Sequence, residues 1–165
     1  MKIALASDLH LEFGYQTLPG GELLIIAGDA AEARSISRHF HATKLLCDTP
    51  LHQYRCSEFF KYECAKYDKV LYVSGNHEHY HGRLDKTHEE LKRLMPENVT
   101  VLERECVEHN GTMFMGATMW TDCNRGDWHT CNHLKHSMND FHVIQNFYEQ
   151  SSRYGKLIPE YTVGL

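Results

Sequence analysis

The chain has 165 residues, with 42% hydrophobic and 24% charged residues and a formal net charge of -5. That length suits one domain spanning residues 1–165, and the mix is that of an ordinary globular protein, which excludes disorder, collagen-like repeats and coiled coil as the main organisation. The acidic balance supplies no strong positive field to draw in nucleic acid, which enters the main reading only as a substrate. No apolar run approaches the ~20 residues of a membrane span. Asp8 and His10 end the N-terminal run too early for an export signal. These features read as a cytoplasmic protein without membrane contact, whose six cysteines, lacking any Cys-x-x-Cys pair, are expected as reduced and mostly buried thiols.

Residues 2–7 read as a first short buried strand, 22–27 as a second and 69–74 as a third, each a near-continuous apolar run of the kind covered on both faces. Between the second and third, a helix is expected around residues 32–46, with Pro50 separating it from a second helix whose face carries Cys56, Phe60, Cys64 and Tyr67. Residues 83–95 predict another helix, stopped by Pro96. Strands are expected at 99–102 and 112–118, the latter entered through an Asn110-Gly111 turn. Residues 133–148 predict a last helix. Strands alternating with helices indicate an α/β sheet, at least partly parallel.

Each of the first three strands ends in groups that bind metals. The first runs into Asp8-Leu9-His10, the second into Gly28-Asp29, the third into Gly75-Asn76-His77-Glu78. Ligands of open α/β sheets bind outside the carboxyl ends of the strands. Parallel pairing would therefore gather Asp8, His10, Asp29, Asn76 and His77 on one edge. Two carboxylates, two imidazoles and an amide oxygen suit Mn²⁺, Fe, Zn²⁺ or Ni²⁺. The Asp-x-His spacing is read as an extended segment in which residues i and i+2 point the same way.

These motifs, in this order, resemble those of the calcineurin-like metallophosphoesterase superfamily, and Gly116-Ala-Thr-Met-Trp-Thr-Asp122 with Met138-Asn-Asp-Phe141 resembles its bacterial and phage branch. The resemblance implies a four-layer α-β-β-α sandwich around a two-metal site and a phosphoester hydrolase activity. It makes Asp8 and His10 ligands of the first ion, Asp29 the bridge and Asn76 a ligand of the second. It places His77 beside the metals as a catalytic group that stabilises phosphoryl charge or protonates the leaving oxygen, and Glu78 as an orienting group. The metal, which also extends to Mg²⁺, is not distinguished by these residues.

The family's later motifs, a strand ending in histidine and a C-terminal Gly-His-x-His, have no counterpart here. Residues 1–165 are therefore read as the N-terminal portion of such a sandwich, short of three histidine ligands and with apolar surface and a sheet edge left open. A second chain or self-association is the expected remedy, and His79, His81 or His41 the alternative donors. Two other readings stay open. One is a catalytically dead remnant that binds an ion or a partner. The other is a Cys/His zinc module at residues 123–136 contacting nucleic acid. Arg125 is the candidate substrate contact, and Trp120 is expected to pack on the sheet.

Overall fold

A computed structural model describes residues 1–36, 51–146 and 155–163. Its centre is a four-stranded parallel sheet in the order β1 (Ile3–Ala6), β2 (Gly21–Ala27), β3 (Tyr67–Val73), β4 (Val99–Leu102). The register aligns Ala6 with Ile26, Ile26 with Tyr72 and Tyr72 with Val101, so the carboxyl ends of the strands lie side by side. β2 and β3 read as unbroken apolar runs because both their faces are covered. On one face Leu24, Ile26, Val70, Tyr72, Val99 and Val101 meet Cys56, Phe59, Phe60, Cys64 and Leu91. On the other, Leu23, Leu71 and Leu102 meet Val107 and Phe114.

The first cover comes from α1 (Leu51–Glu58), which widens into a π turn at Phe59–Glu63 and tightens into a 3-10 turn at Cys64–Lys66, and from α2 (Leu84–Leu94). Cys56, Phe60 and Cys64 share a buried face as predicted, whereas Tyr67 already opens β3. Burial pushes the Cys56 and Cys64 thiols up to about 12, which keeps them protonated core groups. The second cover is an antiparallel hairpin, β5 (Glu105–His109) and β6 (Thr112–Gly116), turned by Asn110 and Gly111 at φ 50° and 74°. Two consecutive positive φ values make the turn whose twist matches the flanking strands. The hairpin leaves part of that face open. Ile3 and Leu5 of β1 remain exposed, Leu5 at 72%.

Several expectations need correction. Residues 33–35 form only a 3-10 turn, and the rest of the helix placed at 32–46, with Pro50, lies outside the described residues. The helix placed at 133–148 starts earlier and breaks in the middle. It runs Trp128–Ser137, because the Asp127 carboxylate accepts from Thr130 N at 2.8 Å and caps it there. Met138 is then extended, a short turn of helix follows at Asp140–Val143, and residues 147–148 lie outside the described set. The strand placed at 112–118 ends at Gly116. Trp120 packs, but not on the sheet as expected: it joins the separate cluster of Phe141, Ile144 and Leu157, 5.7 Å from the ring of His79. No helix among the described residues is long and apolar enough to cross a membrane.

His79 is 5% accessible, and burial lowers its imidazole to about 4. The folded chain thus holds it neutral where the unfolded chain, with an imidazole near 6.5, takes up a proton. Its favourable contribution is complete above the unfolded value and is lost as pH falls from there toward the folded one. Between pH 7 and 5 this group alone should remove about 2 kcal/mol. Urea unfolding at both pH values should show wild type losing that much more than His79→Gln, whose side chain does not titrate. Equal losses would show that His79 is not buried as a neutral group.

Candidate metal centre

The parallel register brings three loops to one edge, and backbone bonds lock them together. Past the end of β1, Asp8 N donates to Gly28 O at 3.1 Å, His10 N to Asp29 O at 3.1 Å and Leu11 N to Ala30 O at 2.9 Å. The first loop thus continues pairing along the second. The third approaches the second so closely that a Cβ on Gly75 would stand 2.2 Å from Asp29 Oδ1 and 2.8 Å from Asp29 N, which only glycine permits.

Glu78 joins the second and third loops from beneath. Its carboxylate is 1% accessible for the residue and accepts from Gly75 N at 2.7 Å, Asp29 N at 3.1 Å, Ala30 N at 2.7 Å and the Tyr72 hydroxyl at 2.7 Å. Burial raises its proton affinity, and the bonds from Tyr72 and the backbone oppose that rise. This is the orienting role expected for Glu78.

Asp8, His10 and Asp29 come together, with one donor atom from each within 4.8 Å of the others. The Asp-x-His segment is not extended, which corrects the geometric reason given for it. Asp8, His10 and Asp29 have φ of 52°, 42° and 52°, a left-handed conformation that Asp and His tolerate better than most residues. His77 joins them. Its backbone N–H donates to Asp29 Oδ1 at 2.9 Å, and its ring stands edge-on to His10 with centroids 4.7 Å apart. Asn76 lies between the two residues that touch Asp29. Its Nδ2 donates to Asp140 Oδ1 at 2.8 Å.

Three participants were not anticipated. Glu12 Oε1 is in hydrogen-bond contact with His77 Nε2 and lies 3.4 Å from His10 Nδ1, so that His10, Glu12 and His77 form a second group of metal-ligand type. The Glu12 side chain is 9% accessible, and its Oε2 is buried without a hydrogen-bond partner. The polar alternation Asp8, His10, Glu12 around Leu9 and Leu11 was its sequence signal. The Tyr80 ring lies tilted against His77, with centroids 4.6 Å apart, and its hydroxyl donates to Asp140 Oδ1 at 2.7 Å; burial and that carboxylate push its phenol up. Asp140 itself sits in the Met138-Asn-Asp-Phe141 segment, whose link to Asn76 no local pattern discloses.

Other candidates lie elsewhere. His81 is near Glu32, at 3.3 Å, and His41 lies outside the described residues. Arg125 is exposed in a left-handed turn that is tied by the Cys123 thiol to Pro159 O. Among the described residues, both groups of three or more His, Cys, Asp or Glu donors close enough for one ion contain His10, and none falls in 123–136. Cys123 and Cys131 are buried free thiols.

No family model matches the chain. It is similar to an uncharacterized protein, L509, of Acanthamoeba polyphaga mimivirus, with 32% identity over 95 residues covering 53% of this chain and 33% of that protein. The match thus spans about a third of the relative's length.

Glu78→Gln should lower stability by roughly 3 kcal/mol, because one amide oxygen replaces two acceptors and the new NH₂ faces donors. Gly75→Ala should displace Asp29 and weaken cation uptake even where the fold survives. Chemical denaturation with metal analysis of both variants checks this; wild-type stability in Glu78→Gln would refute the role of the four bonds.

Proposed function

We propose that this chain is a metal-dependent phosphoester hydrolase of the calcineurin-like metallophosphoesterase type. The observation that carries the reading is the meeting of Asp8, His10 and Asp29 donor atoms within 4.8 Å at the carboxyl edge of a parallel sheet. Helices over one face of that sheet and a β-hairpin over the other are compatible with the first half of an α-β-β-α sandwich. The buried His10 Nδ1, which makes no hydrogen bond and meets only the Glu12 carboxylate at 3.4 Å, and Glu12 Oε2, which has no hydrogen-bond partner, fit a site made for cations.

Asp8 and His10 would hold one divalent ion, Asp29 would bridge, and Asn76 would serve the second through its amide oxygen. Mn²⁺, Fe, Zn²⁺, Ni²⁺ and Mg²⁺ all accept donors from this set. When bound, the cations supply Lewis acidity that favours hydroxide near neutral pH and neutralises phosphate oxygens. The protein's own part is placement. Asp29 is fixed through its N–H by Glu78 and through Oδ1 by His77 N. His77 stands against His10, where its imidazole protonates the leaving oxygen or stabilises phosphoryl charge, with Glu12 behind it. The missing histidines would come from a second chain or a second copy, for which the exposed Ile3, Leu5 and Met115 offer apolar surface. The activity would be cytoplasmic.

A second reading has its own support. His10, Glu12 and His77 form a two-imidazole, one-carboxylate group suited to a single transition-metal ion. In that case His77 is a ligand and the chain binds metal without turnover.

Metal analysis with an aryl phosphate ester separates the two. Under the hydrolase reading Asp29→Asn loses both metal and turnover, the latter by about a hundredfold or more, whereas His77→Gln keeps its metal and loses turnover. Metal loss in His77→Gln but not in Asp29→Asn, with no turnover in wild type, would establish the second reading instead.

A further inference from the structure

Asn76 is useful to a cation only by its amide oxygen, and a primary amide can turn either end toward a site. What decides the matter is on the opposite side of the residue. Asp140 is 3% accessible and lies 64 positions along the chain; its Oδ1 receives Asn76 Nδ2 at 2.8 Å and the Tyr80 hydroxyl at 2.7 Å. A carboxylate only accepts, so it faces the NH₂ end of the amide and leaves the carbonyl end directed away from itself. Asp140 is in turn set by packing, because the neighbouring Phe141 and Ile144 are buried with Leu157 in a cluster apart from the main core. We propose that Asp140 is a positioning residue that aims the Asn76 amide oxygen at the cation pocket, so that affinity for the second ion depends on the packing of the Asp140–Val143 segment. This rests on the hydrolase reading above and adds to it the residue that governs one ligand.

The inference predicts a specific pattern of loss and rescue. Mn²⁺ alone is the probe, counted by equilibrium dialysis on the full chain, with near-ultraviolet circular dichroism confirming the fold of each variant. Wild type should take up two ions. Asp140→Ala frees the amide to rotate and should weaken the second ion by about tenfold or more, the scale of losing a partner behind a metal ligand. Asn76→Asp added to Asp140→Ala should restore it, because aspartate offers an oxygen in either rotation. Asn76→Asp alone sets two carboxylates face to face and should bind the second ion more weakly than wild type does. That last arm does not need Asp140→Ala to fold. Asp140→Asn keeps a carbonyl acceptor and should stay near wild type. Two ions bound equally tightly by wild type and Asp140→Ala would overturn the inference alone. So would failure of the rescue, or tighter binding by the single Asn76→Asp variant. Fewer than two ions in wild type would overturn it together with the hydrolase reading.

Discussion

The Glu78 carboxylate is the point through which the rest of the site is built. At the carboxyl edge of a parallel sheet, β2 and β3 leave their partners and their backbone N–H groups need new acceptors. Glu78 supplies them for Gly75, Asp29 and Ala30 at once, and its bond from Tyr72 roots the arrangement in the core. Two loops that share one buried anion cannot separate without leaving it unpaired, a loss of several kcal/mol. Tyr72 pays its part in the same exchange: burial, then the neighbouring carboxylate, raises its phenol well above the usual range, so it remains a donor. Asp29, between the loops, is consequently held at both its N–H and its side chain.

The donors stand on strained backbone while the residues interleaved with them are core. Asp8, His10 and Asp29 each have a left-handed φ, a conformation that costs on the order of 1–3 kcal/mol per residue when the surroundings do not impose it. Here the surroundings do impose it. Leu11, Ala30 and Ala31 are wholly buried, and the three bonds from the first loop to the second hold the path between them. Leu11 is buried in the main core while its neighbours His10 and Glu12 both meet His77. A polar residue in place of Leu11 would release both.

The parts legible in the sequence were those written in local pattern. β2 and β3 could be placed because burial on two faces demands uninterrupted Leu, Ile and Val, and the hairpin because Asn110-Gly111 adopts a backbone that few other pairs tolerate. The motifs also led to Asp8, His10, Asp29 and His77, which the register then brings together. Partnerships over long separations were not legible. Glu12 reaches His77 across 65 positions and Asp140 reaches Asn76 across 64, and in both cases the pairing is decided by how loops cross the sheet edge rather than by neighbouring residues. The break at Met138 was hidden likewise, since the apolar spacing runs on through it and only the cap at Asp127 and the packing of Phe141 divide the segment into two.

β1 shows how site and fold depend on each other. It is four residues long, pairs with β2 on one side, and leaves Ile3 and Leu5 largely exposed, so the strand alone buries little. Its attachment to the sheet is extended by the loop that follows, in which Asp8, His10 and Leu11 carry the pairing three residues along the second loop. The segment bearing Asp8 and His10 therefore stabilises the strand as much as the strand positions those two side chains. An ion that joins Asp8 and His10 to Asp29 would tie the same two segments again, and binding that favours the folded form adds to its stability. The expected beneficiary is β1 rather than the double-covered β2 and β3, since those are held by apolar contact on both faces whether or not a cation is present.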